Sequence, residues 1–277
     1  VKQATIKREA RLTGRGLHAG SLSEIAIKPA PEGTGFMVND RTGKNGGSFI
    51  MSPFCVLDTK RGTTLKHRGF KFHTVEHLVS ALRGCGITNA AIDVLAGNEP
   101  PIYDGSALEM HNIIKKAGRV MQKQNLRDIE IKEPVLYKEK GAYIAAIPCD
   151  IFRVSYYSDF SAKGLAPQHA DYDETRDYAK TVAGARTFGF RKEIEWLLKS
   201  GLIKGADMGS AILFDDKGIP ENTRLRFKTE PAMHKVLDIT GDFGLINARL
   251  KAHIIAYRTG HRHNIELAKI IVKKYGS

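Results

Sequence analysis

The sequence predicts an α+β protein built from two similar halves. Period-two apolar alternation and 3.6-residue apolar periodicity both recur along it, as half-buried strands and amphipathic helices require. Each half runs strands, helix, strand, helix. A polar stretch, Arg119 to Asn125, divides the 277 residues into parts of ordinary domain size. The expected domains are residues 1–122 and 123–277.

In the first half, alternation marks strands at Ala4 to Glu9 and Leu22 to Lys28, joined by a glycine-rich turn, Gly14 to Gly20. A second glycine-rich loop spans Gly43 to Gly47. A helix near Thr74 to Arg83 is stopped by Gly84 and Gly86. A strand follows at Ala90 to Leu95, then the loop Asn98-Glu99-Pro100-Pro101 and a helix from Ser106 to Ala117. In the second half, strands are expected at Asp128 to Lys132, Ala142 to Ile147, Phe152 to Tyr157 and Lys251 to Arg258. Helices are expected near Arg191 to Lys199, Pro231 to Phe243 and Arg262 to Lys274.

Hydrophobic content of 42% and charged content of 26% are those of a soluble globular protein. No apolar run approaches a membrane span. Residues Val1 to Ala10 are charged and alternating, unlike a signal peptide. Cys55, Cys85 and Cys149 are far apart and odd in number, which fits reduced thiols in the cytoplasm. The net charge of +13 favours anionic partners. No long basic run or aromatic-interleaved basic motif accompanies it, so nucleic acid is the weaker use of that charge.

Two polar clusters interrupt apolar helical patterns: Thr74-Val75-Glu76-His77 and His234-Lys235-Val236-Leu237-Asp238. On the first helix, Val75, Leu78, Val79 and Leu82 form one apolar stripe, leaving Glu76, His77 and Ser80 on the other side. A solvated polar face is the ordinary reading of such a pair alone. On the second helix, His234, Asp238 and Asp242 recur at four-residue intervals, one above another. Two imidazoles and a carboxylate can hold one metal with a position open for water, the layout of a hydrolytic zinc site. The spacing is not unique, since His169 and Asp173 repeat it and His73 and His77 form an HxxxH pair. His261 follows Gly260 at a helix start, where it can be a surface cap or a general acid held protonated by a carboxylate such as Asp242.

Six ordered blocks add to this reading: GRGLHAG at 14–20, TVEHLVSAL at 74–82, NEPPIYDGSA at 98–107, ARTFGF at 185–190, HKVLDITGD at 234–242 and TGHRHN at 259–264. On these blocks the chain resembles the UDP-3-O-acyl-N-acetylglucosamine deacetylases, zinc enzymes of lipid A synthesis in Gram-negative bacteria. The resemblance implies His77, His234 and Asp238 as metal ligands and Glu76 as general base. It implies His261 as the second catalytic histidine with Asp242 beside it, and Thr187 as an aid in polarising the substrate carbonyl. Phe188 would pack against the nucleotide or sugar, and Lys235 would lie near the diphosphate. The implied cofactor is Zn2+, with Fe2+ as the alternative for such a donor set. The implied partner is the UDP-linked acylated amino sugar.

The resemblance also implies two similar α+β domains whose helices are sandwiched between two outer sheets, and an insert, about residues 190–217, that forms an apolar passage for the acyl chain. Ile194, Trp196, Leu197, Leu198, Leu202 and Ile203 supply its apolar character. The expected setting is a cytoplasmic monomer with peripheral contact to the inner membrane surface and no nucleic-acid partner. Departures from the family pattern are Met233 before the second ligand histidine, Arg262 and His263 after the catalytic one, and His73 before the first motif. Two rival readings are a zinc amidohydrolase acting on another N-acyl sugar and a basic nucleic-acid-binding module.

Overall fold

The computed structural model describes residues 1–43, 47–199, 204–205 and 209–276, with the side chains of residues 195–198 outside that description. Its helices are α1 (Glu76–Gly84), α2 (Leu108–Ala117), α3 (Tyr178–Thr181), α4 (Arg191–Lys199), α5 (Glu230–Gly244) and α6 (His261–Tyr275).

Two main sheets share one topology. The first has the strand order Ala10–Arg15, Leu22–Lys28, Ala90–Ala96, Phe36–Asp40, Ser48–Ile50. The second has Val135–Glu139, Ala142–Pro148, Arg249–Tyr257, Phe152–Phe160, Leu165–Asp173, with Asp128–Glu130 pairing in parallel to the start of Arg249–Tyr257. In each sheet the successive pairings are antiparallel, antiparallel, parallel, antiparallel. In each, the central strand is preceded by one helix (α1 or α5) and followed by another (α2 or α6). The burial of Arg249–Tyr257 alternates strictly, with Leu250, Ala252, Ile254 and Ala256 buried, as a strand covered on one face requires.

Helices α5 and α6 lie on the second sheet, α2 on the first, and α1 packs along α5. The apolar stripe of α1 and the buried faces of both sheets form one continuous core. The other side of α1 is not solvated. Every residue from Glu76 to Leu82 is buried, because α5 covers the polar side. Close approach depends on α5 glycines: a Cβ on Gly244 would come within 2.4 Å of Val79 Cγ1. At the C-terminal end of α1, the ring of Tyr178 lies where a Cβ on Gly84 would be.

Several local readings shift. The polar stretch Arg119–Asn125 is a strand, paired antiparallel with Lys2–Ile6, so a division at 122/123 falls inside it. The first strand is Lys2–Ile6 where alternation predicts Ala4 to Glu9, and Gly14 and Arg15 end a strand before the turn closes. At the start of the expected insert, Phe188–Phe190 pairs in parallel with Ile212–Phe214, flanking α4. The side chains of Trp196, Leu197 and Leu198, and residues Leu202 and Ile203, lie outside the described residues. Among the described residues, no helix is long and apolar enough to cross a membrane.

Candidate active site

The helix pair α1–α5 brings the two polar clusters together. His77 is the second residue of α1, while His234 and Asp238 lie one turn apart on α5. Asp238 Oδ1 is 3.4 Å from His234 Nε2 and 3.8 Å from His77 Nε2. The two imidazoles meet edge to face with centroids 5.1 Å apart. All three residues are buried, and they form the one such group of metal-ligating side chains among the described residues.

The trio fits a metal ion. Asp238 Oδ1 is buried, has no hydrogen-bond partner and faces both Nε2 atoms. A tetrahedral zinc with bonds of about 2.0–2.1 Å places its donors roughly 3.3 Å apart, close to these separations. The His234 ring is aimed by its other nitrogen, which lies 3.0 Å from the Ala185 carbonyl. Burial pushes the His234 pKa down. Burial, and secondarily His234, brings that of His77 to about 3. Both imidazoles are therefore neutral at pH 7, the form that ligates. Burial opposes charge on Asp238, but His234, Lys235, His261 and His77 outweigh it and hold its pKa well below the usual carboxylate range.

Glu76 and His261 border the trio. Burial drives the Glu76 pKa up to about 7; His261 opposes the rise, while Asp242 and Asp238 add to it. Its Oε2 accepts the Thr63 amide at 2.9 Å, and its Oε1 lies 3.8 Å from His261 Nε2. His261 Nδ1 lies 2.9 Å from Asp242 Oδ2. Burial disfavours the imidazolium, but Asp242, Glu76 and Asp238 outweigh it and raise the His261 pKa to about 10. Asp242 is held by two further donors, Thr63 Oγ1 at 2.6 Å and Asn264 Nδ2 at 2.8 Å. The site thus pairs a carboxyl that titrates near neutrality with a histidine that stays charged.

Of the remaining expected site residues, Phe188 and Lys235 lie beside the trio. The Phe188 ring centroid lies 6.3 Å from that of His234. Thr187 is fixed by its backbone, which donates to Gly105 O at 2.7 Å and accepts from Ile212 N at 2.8 Å. Lys235 Nζ donates to Asp238 Oδ2 at 2.8 Å and sits 5.6 Å from the Phe188 centroid.

The competing histidines have other partners. His73 Nδ1 lies 3.0 Å from Thr64 Oγ1, and His263 Nε2 lies 3.3 Å from Glu139 O. His169 stacks on Tyr157 with centroids 4.5 Å apart, and Asp173 pairs with Arg176. His169 and Asp173 are on a strand, where four residues span about 13 Å, too far for one ion.

Three supporting residues, Thr63, Glu99 and Arg186, take no role from the sequence patterns, although Glu99 and Arg186 lie within the blocks at 98–107 and 185–190. Thr63 links Glu76 to Asp242. Glu99 is buried and receives the amides of His18 and Ala19 and the hydroxyl of Thr74, tying the glycine-rich turn to the residue that leads into α1. Buried Arg186 pairs with Glu230 at 2.8 Å and so joins the segment bearing Ala185, Thr187 and Phe188 to the start of α5. Arg186 and Glu230 lie 44 positions apart, and no sequence spacing pairs them.

Residues 3–273 match the family model of UDP-3-O-acyl N-acetylglycosamine deacetylase. The UDP-3-O-acyl-N-acetylglucosamine deacetylase of Oleidesulfovibrio alaskensis is 37% identical over 265 residues, covering 95% of this chain and 87% of its own. Those of Chlamydia muridarum and Thermodesulfovibrio yellowstonii are each 36% identical, covering 98% of this chain and 95% and 92% of their own. On a match over nearly its whole length, the chain belongs to the UDP-3-O-acyl-N-acetylglucosamine deacetylase family.

Proposed function

We propose that the chain hydrolyses the N-acetyl group of UDP-3-O-acyl-N-acetylglucosamine, a committed step of lipid A synthesis, with zinc held by His77, His234 and Asp238. The observation that carries the reading is the buried trio bordered by Glu76 on one side and the His261–Asp242 pair on the other. A zinc ion held there would supply Lewis acidity for the amide carbonyl and lower the pKa of a water.

The protein's own groups divide the proton work. Glu76 takes a proton from the attacking water, whose oxygen bonds to the carbonyl carbon. The Thr187 hydroxyl steadies the negative charge that develops on the carbonyl oxygen. The C–N bond then breaks with its electron pair on nitrogen. That nitrogen takes a proton from the His261 imidazolium or from Glu76, leaving acetate and the free amine. Asp242 keeps His261 charged and oriented. Phe188 packs on the sugar or nucleotide, and Lys235 with the general positive charge attracts the diphosphate. Residues 1–122 and 123–277 would form two domains meeting at the site. The chain would act as a cytoplasmic monomer whose positive charge meets the inner membrane surface peripherally. The insert would carry the acyl chain.

Acetate release from UDP-3-O-acyl-N-acetylglucosamine tests this directly. A chelator should abolish it, and about one equivalent of zinc per chain should restore it. Iron(II) in place of zinc would show whether the donor set accepts both. Turnover that survives complete metal removal would sink the cofactor assignment. Equal turnover on a substrate lacking the 3-O-acyl chain would favour another N-acyl sugar.

A further inference from the structure

A second concavity of about 790 Å³ lies at the opposite end of the α1–α5 pair from the metal-ligand trio. It is bordered by the C-terminal turns of both helices, through Arg83 and Gly84 of α1 and Phe243 and Gly244 of α5. None of Glu76, His77, His234, Asp238, Asp242 or His261 lines it. Its volume is that of a small-molecule pocket.

Its charge is one-sided. Six basic residues line it (Lys2, Arg83, Lys115, Arg119, Arg176 and Arg249) against two acidic ones, Glu174 and Asp177. Both acids are already engaged. Glu174 accepts from Arg249 at 2.9 Å, and Asp177 caps α3. Arg176 pairs with Asp171 and Asp173. The side chains of Arg83, Lys115 and Arg119 make no hydrogen bond or ion pair among the described residues. Arg83 sits deepest of these three, on the last turn of α1. Burial pushes its pKa down against the pull of Glu174 and Tyr172, and neighbouring Arg249 adds to the fall. No carboxylate among the described residues touches this half-buried guanidinium, so the pull of Glu174 offsets its desolvation only in part. The walls between these cations are apolar, from Ile114, Phe152, Phe243 and Leu250 with the rings of Tyr172 and Tyr178.

We infer that this cavity is a second binding site, for a small organic anion with a phosphate or carboxylate head and an apolar body. The head would take Arg83 with Arg119 and Lys115 at the mouth, where a guanidinium can grip an oxyanion through two parallel donors. The body would cover the aromatic and aliphatic wall. The site is independent of the deacetylation chemistry, since it shares no residue with the trio or its proton-handling partners.

The probe is hexyl phosphate, titrated calorimetrically into the full chain at fixed ionic strength, with inorganic phosphate and hexanol as separate arms. One saturable site is expected, with hexyl phosphate roughly tenfold or more tighter than either arm, because head and chain both contribute. R83Q should weaken it roughly tenfold. R119Q, at an exposed position, should weaken it several-fold without altering the KM for the UDP-linked substrate, and it stands in if R83Q does not fold. Absence of saturable binding overturns the inference. So does affinity unchanged in R119Q and in folded R83Q, which would mean that the probe sits at the diphosphate site.

Discussion

Gly241 of α5 lies against the backbone carbonyl of Glu76: a Cβ on Gly241 would come within 2.1 Å of that oxygen. This contact sets the depth to which α1 sinks beside α5, and hence the spacing of His77 from His234 and Asp238. Alanine in a helix interior ordinarily outperforms glycine by about 1 kcal/mol. Here the sign reverses, because neither backbone can yield without separating the helices. G241A should destabilise the chain by about 1–3 kcal/mol or more and weaken zinc binding with it. Urea denaturation and metal titration check this; a G241A protein as stable as the parent would show that the helices can part without cost.

Thr63 holds Glu76 and Asp242 with two different groups, its amide and its hydroxyl. T63V keeps the amide and the volume and removes the hydroxyl, leaving Asp242 Oδ1 buried without its donor. Turnover should fall by roughly 10–100-fold, the usual effect of losing a group that orients a site residue, while zinc content stays the same. T63S should restore most of it. Loss of zinc together with turnover would instead mark Thr63 as a general structural support.

Why Thr63 escaped the sequence reading is instructive. Its role runs through a backbone amide and across 179 positions to Asp242, and no spacing encodes either. The ligand set is different. His77, His234 and Asp238 stand out as polar residues on apolar helices, and HxxxD is a local property of one helix. The ordered blocks select that copy over His169 and Asp173, and the physical reason is that the latter lie on a strand. The same split governs the fold. Leu22–Lys28 and Arg249–Tyr257 show their burial in their own alternation, and the glycines after α1 mark its end. Arg119–Asn125 is exposed almost throughout, and only its pairing with Lys2–Ile6 makes it a strand. The buried polar side of α1 was hidden for a related reason: what covers it is a helix more than 140 residues away.

The His261–Asp242 pair predicts a pH dependence with a definite sign. Glu76 must be a carboxylate to accept a proton, so activity rises as pH passes its pKa, about 7 in the metal-free chain. As the proton donor to the leaving nitrogen His261 would act as an imidazolium, so in that role activity falls as pH passes its pKa, about 10. A bound cation moves both limbs downward. Asp242 raises both pKa values, through its charge on Glu76 and its contact with His261. D242N should therefore shift both limbs of the kcat/KM profile to lower pH, beyond any fall in the maximum. An alkaline limb that stays in place would remove His261 as its source.

The Arg186–Glu230 pair is nearly sealed, with the arginine side chain 8% exposed and the glutamate 0%. Arg186 Nε donates to Glu230 Oε1, Nη1 to Thr223 Oγ1 at 2.9 Å, and Nη2 to the Arg224 carbonyl at 2.7 Å. Glu230 also accepts the amides of Arg186 and Arg226. Removing the cation alone strands a buried carboxylate, so R186A should cost about 3–5 kcal/mol. R186K should recover little of this, because a single ammonium cannot reach donor positions spread across a planar fork. The loss has a second readout. Arg186 adjoins Ala185, whose carbonyl aims His234, so zinc affinity should drop with stability. Chemical denaturation beside a metal titration separates the two effects. An R186K protein with parental stability and zinc affinity would show that charge alone, without the fork geometry, anchors this segment.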